Sequence, residues 1–245
     1  MQLIPVLEVR HGKCVHTEKD NGSESHIVTL DPMETLESWV SQGITRVHFV
    51  DVDAIESRIP TNVDLLTQLK KAFPQVIFQA LGAIYNFEAA TIWGDAGADY
   101  LVLTGKALSR KNLVNDVSIE FPNRVLIELD SHEGKVSLES GKPQINLIDI
   151  ARQLDQDGIS GLVVTEVPSK GHVNNENLLT INEFSHSITM PLYANGGISS
   201  LADLKNLLDH HAEDLNGVLL GKVVFDESFD LAKAVEMLKA YKVND

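Results

Sequence analysis

The chain has 245 residues, 43% of them hydrophobic and 22% charged, which provides for a sizeable core and excludes a disordered polypeptide. Twenty Lys and Arg against thirty-five Asp and Glu leave a formal net charge of −15, which argues against nucleic acid or an anionic membrane surface as partner. A single cysteine, Cys14, excludes intramolecular disulfides and cysteine-based zinc clusters.

Small phosphorylated ligands stay compatible with this charge, because backbone amides can hold a phosphate without a basic surface. The N-terminus lacks a basic flank followed by an apolar run, and no 18-residue apolar stretch occurs, so no leader or membrane span is expected and the location expected is cytoplasmic.

In chain order, eight short apolar runs read as strands: Leu3 to Leu7, Val47 to Val52, Val76 to Ala80, Tyr100 to Leu103, Val125 to Leu129, Gly161 to Val164, Leu192 to Ala194 and Gly217 to Leu220. They are rich in Val, Ile and Leu without period-two alternation, as parallel strands buried on both faces should be. Helical patterns lie between them. The first follows Asp31-Pro32, a capping residue and a first-turn proline, with Met33, Leu36, Trp39 and Val40 on one face. Others occupy Asn62 to Phe73, Phe87 to Gly94, Leu147 to Asp157, Leu178 to Ser185, Leu201 to Asp209 and Asp230 to Tyr241. Eight strands alternating with helices predict an α/β chain folded as a TIM (β/α)8 barrel, with a doubly wound open sheet as the alternative on pattern alone.

Internal similarity favours the barrel. Leu7-Glu8-Val9-Arg10-His11-Gly12-Lys13 returns 122 residues later as Leu129-Asp130-Ser131-His132-Glu133-Gly134-Lys135. Gly43-Ile44 returns as Gly158-Ile159, Gly82-Ala83-Ile84 as Gly196-Gly197-Ile198, and Gly105-Lys106 as Gly221-Lys222. Four matches in the same order describe two half-barrels, residues 1–122 and 123–245, closing into one domain.

Function in such a barrel sits at the carboxyl ends of the strands. Glu8 ends the first strand and Asp130 the fifth, so they would face each other across the mouth as a general base and a general acid, the pair a proton-shuffling isomerisation needs. Taken singly, each reads more simply as a solvated or salt-bridged loop-edge acid; their equivalent places in the repeat favour the pair. Asn195-Gly196-Gly197-Ile198-Ser199 after the seventh strand and Gly221-Lys222 after the eighth form a candidate phosphate grip, because glycines let backbone N–H groups approach an anion beside a helix N-terminus. The repeat places a second grip at Gly82-Ala83 and Thr104-Gly105, which would suit a ligand phosphorylated at both ends. Tight-turn glycines are the plainer alternative. His48 reads as a core or interface residue, His210-His211 as an exposed loop pair, and Arg10 and Lys13 as loop decoration with the option of a phosphate contact. No metal-ligand spacing, Gly-x-Ser-x-Gly or P-loop pattern occurs, so no metal is expected.

These residues resemble the histidine-biosynthesis barrel family, which comprises ProFAR isomerase (phosphoribosylformimino-5-aminoimidazole carboxamide ribotide isomerase) and its cyclase sister, imidazole glycerol phosphate synthase. The resemblance covers the whole chain. It is carried by Ile4-Pro5-Val6-Leu7-Glu8, Val50-Asp51-Val52-Asp53-Ala54, Leu129-Asp130 with Gly134-Lys135-Val136, Thr165-Glu166, Ala194 to Ser200 and Gly217 to Lys222. Leu129-Asp130 and Thr165-Glu166 look more like the isomerase than the cyclase.

The resemblance implies a cofactor-free Amadori-type aldose-to-ketose rearrangement of a ribosyl aminoimidazole bisphosphate. Glu8 would move the proton from C2, Asp130 would open the ribose ring, and Thr165 would orient the substrate. Gly82, Thr104 and Gly105 would hold one phosphate, and Gly196, Gly197 and Gly221 the other. The expected partner is this small molecule, bound by a monomer.

The chain departs from the family at functional positions. Glu8 stands where Asp is usual, moving the carboxylate out by about 1.5 Å, a shift that can cost on the order of 100-fold in rate if uncompensated. Leu81-Gly82-Ala83-Ile84-Tyr85 replaces Gly-Gly-Gly-Ile-Arg, and Lys170-Gly171-His172 replaces Asp-Gly-Thr. The Gln-Gly-Asp-Tyr of the first loop is absent near Lys19-Asp20-Asn21-Gly22, and a Trp is missing around Ser140-Gly141. The alternatives to the isomerase are therefore a diverged paralogue acting on another sugar phosphate and a non-catalytic phosphate-binding barrel.

Overall fold

A computed structural model describes residues 1–19, 25–110, 112–138, 144–156, 159–166, 184–211 and 213–243. The elements are β1 (Leu3–Arg10), β2 (Lys13–Lys19), β3 (Ser25–Leu30), α1 (Pro32–Ser41), β4 (Arg46–Asp51), α2 (Val52–Ser57), α3 (Val63–Ala72) and β5 (Ile77–Leu81). There follow α4 (Phe87–Asp95), β6 (Tyr100–Thr104), a 3-10 turn (Gly105–Ser109), α5 (Leu113–Glu120), β7 (Val125–His132), β8 (Lys135–Val136), β9 (Ile145–Asn146) and α6 (Leu147–Gln156). The chain continues with β10 (Gly161–Glu166), β11 (Leu192–Asn195), α7 (Leu201–His211), β12 (Gly217–Leu220), a second 3-10 turn (Lys222–Phe225) and α8 (Leu231–Val243).

Strands β1, β4, β5, β6, β7, β10, β11 and β12 pair in parallel in that order, and β12 closes on β1. The architecture is the closed eight-stranded α/β barrel expected. All eight predicted strands are present. The second of them, β4, differs at its end: Val52 belongs to α2, because Asp51 turns its carboxylate back to accept the Ala54 N–H at 3.0 Å and caps a helix there. The predicted helix over 178–185 lies almost entirely outside the described residues, as do Lys170, Gly171 and His172.

The registers sort each strand's side chains onto two faces. Val6 pairs with His48, His48 with Gln79, Val102 with Leu126, Thr104 with Glu128 and Asp130 with Thr165, which assigns these residues to the inside of the ring. The interior packs Ile4, Val6, Leu81, Val102, Leu126, Val163, Tyr193 and Leu219, while a larger apolar layer joins the outer face to the helices. Helix starts follow cap chemistry. Asp31 accepts from Met33 N at 2.9 Å, Asn86 from Ala89 N at 2.8 Å and Asp230 from Lys233 N at 2.8 Å. His210 is exposed in the last turn of α7 rather than in a loop.

A hairpin extends β1 into β2, with Val9 opposite Cys14, and a matching one extends β7 into β8, with Ser131 opposite Val136. Both turn through two residues with positive φ, His11 (51°) and Gly12 (71°) in one and Glu133 (51°) and Gly134 (71°) in the other. Such turns match the twist of paired antiparallel strands.

Candidate active site

Strands β1 and β7 stand four places apart in a ring of eight, so Glu8 and Asp130 rise from opposite sides of its mouth. Both are exposed. Burial of its surroundings pushes the Glu8 carboxyl up from the ordinary range, against the opposing pull of His16. That histidine on β2 is itself buried and stacks on Phe225 of the second 3-10 turn, with ring centroids 4.3 Å apart.

The two glycine-bearing strand ends also oppose each other, β5 and β6 against β11 and β12. On the first side a cleft of about 270 Å³ is lined by Gly82, Thr104, Gly105, Lys106, Glu128 and Asp130 among others; Glu8, Thr165, Gly196 and Gly221 lie outside its lining. Gly82 packs tightly, because a methyl built there would fall 2.7 Å from Trp93 Cζ2. Ala83 has φ +53°, a left-handed conformation that favours glycine. Tyr85 lines the same cleft and lies under the Arg110 guanidinium, 5.4 Å from its ring centroid.

The second side is more open. Gly196 and Gly197 have φ of +87° and +96°. A methyl at Gly196 or Gly221 would meet nothing within 4 Å. Gly196 donates its N–H to Leu219 O at 3.3 Å, whereas those of Gly197 and Gly221 have no acceptor among the described residues. Lys222 opens the second 3-10 turn. The first turn of α7 is already capped: Asp203 accepts from Ser199 N at 3.0 Å, and its own N–H donates to Ser200 Oγ at 3.2 Å.

Inside the barrel, below the mouth, runs a polar ladder. Arg46 Nε donates to Gln79 Oε1 (2.9 Å), Gln79 Nε2 meets His48 Nδ1 (2.8 Å), and Asn195 Nδ2 donates to Glu128 Oε1 (3.0 Å). His48 Nε2 stands 3.6 Å from Glu128 Oε2. Arg46 is sandwiched between the rings of Tyr100 and Tyr193, and its Nη1 donates to the Tyr193 hydroxyl at 3.0 Å. With Gln79 Oε1 occupied by Arg46, its amide must donate to His48 Nδ1, so the imidazole hydrogen sits on Nε2 and faces Glu128. Burial, aided by the charge of Arg46, holds the His48 pKa down at about 3. Burial and then the charge of Asp130 push Glu128 up to about 7.

Asn195, expected at a phosphate, thus turns its side chain to Glu128. Thr165 pairs directly with Asp130 across β10 and β7, and Thr104 ends β6. Arg10 pairs with Glu56, and Lys13 Nζ lies 3.6 Å from Asp31 Oδ2. Glu128 went unnoticed in the sequence, although a residue two before Asp130 on one strand must share its face. Among the described residues no group of three or more His, Cys, Asp or Glu is placed to hold a metal ion.

Asp51 and Asn62 lock the loop after β4. Asp51 is buried and accepts from Ala54 N, Thr61 N, Asn62 N and Asn62 Nδ2. Asn62 Oδ1 accepts from Gly12 N at 3.0 Å, and Asp53 Oδ2 from His11 N at 2.6 Å, which ties the β1–β2 hairpin to this loop.

Comparison with known proteins places this barrel. A family model described as "Histidine biosynthesis protein" matches residues 2–230. A protein of Nitrosococcus oceani named 1-(5-phosphoribosyl)-5-((5-phosphoribosylamino)methylideneamino) imidazole-4-carboxamide isomerase is 30% identical over 98% of this chain and 97% of its own. Proteins of the same name from Prochlorococcus marinus strain NATL2A and Methylococcus capsulatus are 31% and 28% identical, over 100% and 98% of this chain and 96% and 100% of theirs. The fold, the order of its motifs and these full-length matches agree: the chain belongs to the histidine biosynthesis protein family.

Proposed function

We propose that this barrel is an aldose–ketose isomerase of the Amadori type, acting on a phosphorylated ribosyl aminoimidazole carboxamide. The observation that carries the reading is the pair Glu8 and Asp130, set on opposite strand ends over the mouth. Asp130 gives a proton to the ribose ring oxygen, and the ring opens to a C1–nitrogen iminium. Glu8 then takes the proton from C2, leaving an enolamine. Return of a proton at C1 and loss of the C2 hydroxyl hydrogen give the aminoketose. Only protons move, so the reaction needs neither redox cofactor nor metal. The raised pKa of Glu8 makes it a stronger base than an ordinary carboxylate, and Thr165, paired with Asp130, orients the substrate.

Both ends of the substrate are phosphorylated in this reading. The open Gly196-Gly197 loop with Gly221 and Lys222 grips one phosphate, and Gly82, Thr104 and Gly105, aided by Lys106 in the same cleft, hold the other. The matched hairpins after β1 and β7 support two half-barrels, residues 1–122 and 123–245, as one domain. We read the protein as a cytoplasmic monomer that binds no nucleic acid.

Turnover of the bisphosphate tests this directly. Glu8→Gln and Asp130→Asn should each lower kcat by about 100-fold or more; unchanged turnover in either removes the assigned role. Glu8→Asp probes the longer side chain: a faster variant marks Glu8 as a handicap, and a slower one marks a site adjusted to it. A second reading, a diverged enzyme for a singly phosphorylated sugar, is favoured by the tight packing of Gly82 against Trp93, in contrast to the open space at Gly196. Phosphate bound at both grips in a crystal counts against it.

A further inference from the structure

On the neighbouring barrel strands β6, β7 and β10, four buried polar atoms lack a partner among the described residues; Ser131 Oγ faces outward, and Thr104 Oγ1 on β6, Glu128 Oε2 on β7 and Thr165 Oγ1 on β10 face inward. The registers place Thr104 beside Glu128 and Thr165 beside Asp130, so the three form one band at the level of Asp130 and just below it. Native proteins pair such atoms, with water or a ligand if not with themselves. An unpaired set on three adjacent strands, beside a cleft that Thr104 and Glu128 both line, points to a group from outside the chain.

Glu128 is the member of this band that is held in place. Asn195 Nδ2 fixes Oε1 at 3.0 Å. His48 Nε2, at 3.6 Å from Oε2, is beyond hydrogen-bond reach yet blocks the side chain from dropping deeper into the barrel. His48 is in turn pinned through Gln79 to Arg46. One carboxyl oxygen is thereby satisfied and the other is left free.

We propose that Glu128 is a substrate contact, which donates a hydrogen bond from Oε2 to a lone pair at the reacting end of the substrate from the floor of the cleft. This rests on the isomerase reading above and adds a third acidic group to it. The contact requires a neutral carboxyl. Burial and the neighbouring charge of Asp130 favour that form up to about pH 7. The other titratable or charged groups facing this space are His48 and Arg46 on β4, Tyr85 and Lys106 in the lining of the cleft, Tyr100 on β6, Tyr193 on β11 and Glu8 across the mouth. His48 stays uncharged at these pH values, and Arg46 is separated from Glu128 by Gln79 and His48, so neither draws the proton off.

Glu128→Gln decides the matter, because its amide imitates the neutral acid: one oxygen to accept from Asn195 and one N–H to donate, at any pH. At pH 6 its kcat/KM should lie within about threefold of the unsubstituted enzyme. By pH 8 the ratio of variant to unsubstituted enzyme should have risen about tenfold, as the native carboxyl loses its proton. Glu128→Ala should raise KM about tenfold at pH 6 with a smaller change in kcat.

A variant-to-native ratio that stays flat from pH 6 to 8 overturns the proposal. So does a loss beyond tenfold for Glu128→Gln at pH 6, which would make the charged carboxylate the working form. The unsubstituted protein provides a check that needs no variant to fold: an infrared band of a protonated carboxyl present at pH 6, gone at pH 8.5 and shifted by substrate. Absence of that band at pH 6 also overturns it. If the native protein neither binds nor turns over the bisphosphate, the isomerase reading falls and takes this inference with it; turnover with a flat ratio removes this inference alone.

Discussion

Trp93 on α4 donates its indole N–H to the carbonyl of Gly82 at 2.6 Å, fixing the end of β5 from behind. The ring then lies so close that a Cβ at Gly82 would sit 2.7 Å from Cζ2 and 3.0 Å from Asp51 Cβ. This glycine answers to packing whatever it does for a ligand. Gly82→Ala should destabilise the fold by about 1–3 kcal/mol, lowering Tm by roughly 3–10 °C. Thermal unfolding followed by circular dichroism measures it. An unchanged Tm would mean that Trp93 yields freely and that Gly82 is kept for its ligand.

The loop after β4 depends on one carboxylate. Asp51 accepts four N–H groups, and no donor can take its place there without facing another donor. Asp51→Asn should cost about 2–4 kcal/mol and loosen the hairpin turn at His11-Gly12, which Asp53 and Asn62 hold. Urea titration checks the first effect, and faster amide exchange at His11 and Gly12 the second.

The two buried titratable groups of the ladder pull stability in opposite directions with pH. Glu128, raised from 4.5 to about 7, contributes stability that is complete below pH 4.5 and lost as pH rises through 7. His48, lowered from 6.5 to about 3, contributes stability that is present above pH 6.5 and lost as pH falls towards 3. They offset each other between pH 4.5 and 6.5. Glu128→Gln removes the first contribution only, so its stability relative to the native chain should grow from pH 4.5 to pH 7.5, by on the order of 3 kcal/mol. Urea midpoints at pH 5 and 8 for both proteins measure this difference; a constant gap would mean that Glu128 titrates alike folded and unfolded.

Ala83 and Gly196 lie in the two strand-end loops that the internal repeat matches, with the same sign of φ, +53° and +87°. Glycine relieves the strain at the first, and alanine imposes it on the second. Ala83→Gly should therefore be neutral to stabilising by up to about 1 kcal/mol, and Gly196→Ala destabilising by about 1–2 kcal/mol. Gly196→Ala should also weaken inhibition by inorganic phosphate, whereas Ala83→Gly should leave it intact or tighten it. Phosphate inhibition constants for the two variants, set beside their Tm values, check both halves.

The sequence by itself determined the barrel, because strands buried on both faces must be continuous Val, Ile and Leu runs. It also carried the acidic residues at the ends of β1 and β7, since Leu7 to Lys13 and Leu129 to Lys135 repeat in type and order. Elements with weak local signals were not legible. Helix α2 is capped by the last residue of a strand, and α5 follows Asn112, which has φ +64° and makes no side-chain cap. Strand β2 with its partner β3 has little apolar alternation to betray it.

Only the tertiary structure decided what lies inside the ring. Arg46, Gln79, Glu128 and Asn195 come from four strands spread over 150 residues, and nothing local distinguishes their inward side from the outward one. In a strand such as Val125-Leu126-Ile127-Glu128-Leu129-Asp130 both faces are buried, so the alternation that marks a half-exposed strand is erased. Closure of the barrel restores it. It turns Glu128 inward under Asp130, brings Asn195 and His48 against it, and leaves one carboxyl oxygen unpaired beside the cleft. That assignment depends on strand register and ring closure, which are long-range properties of the folded chain.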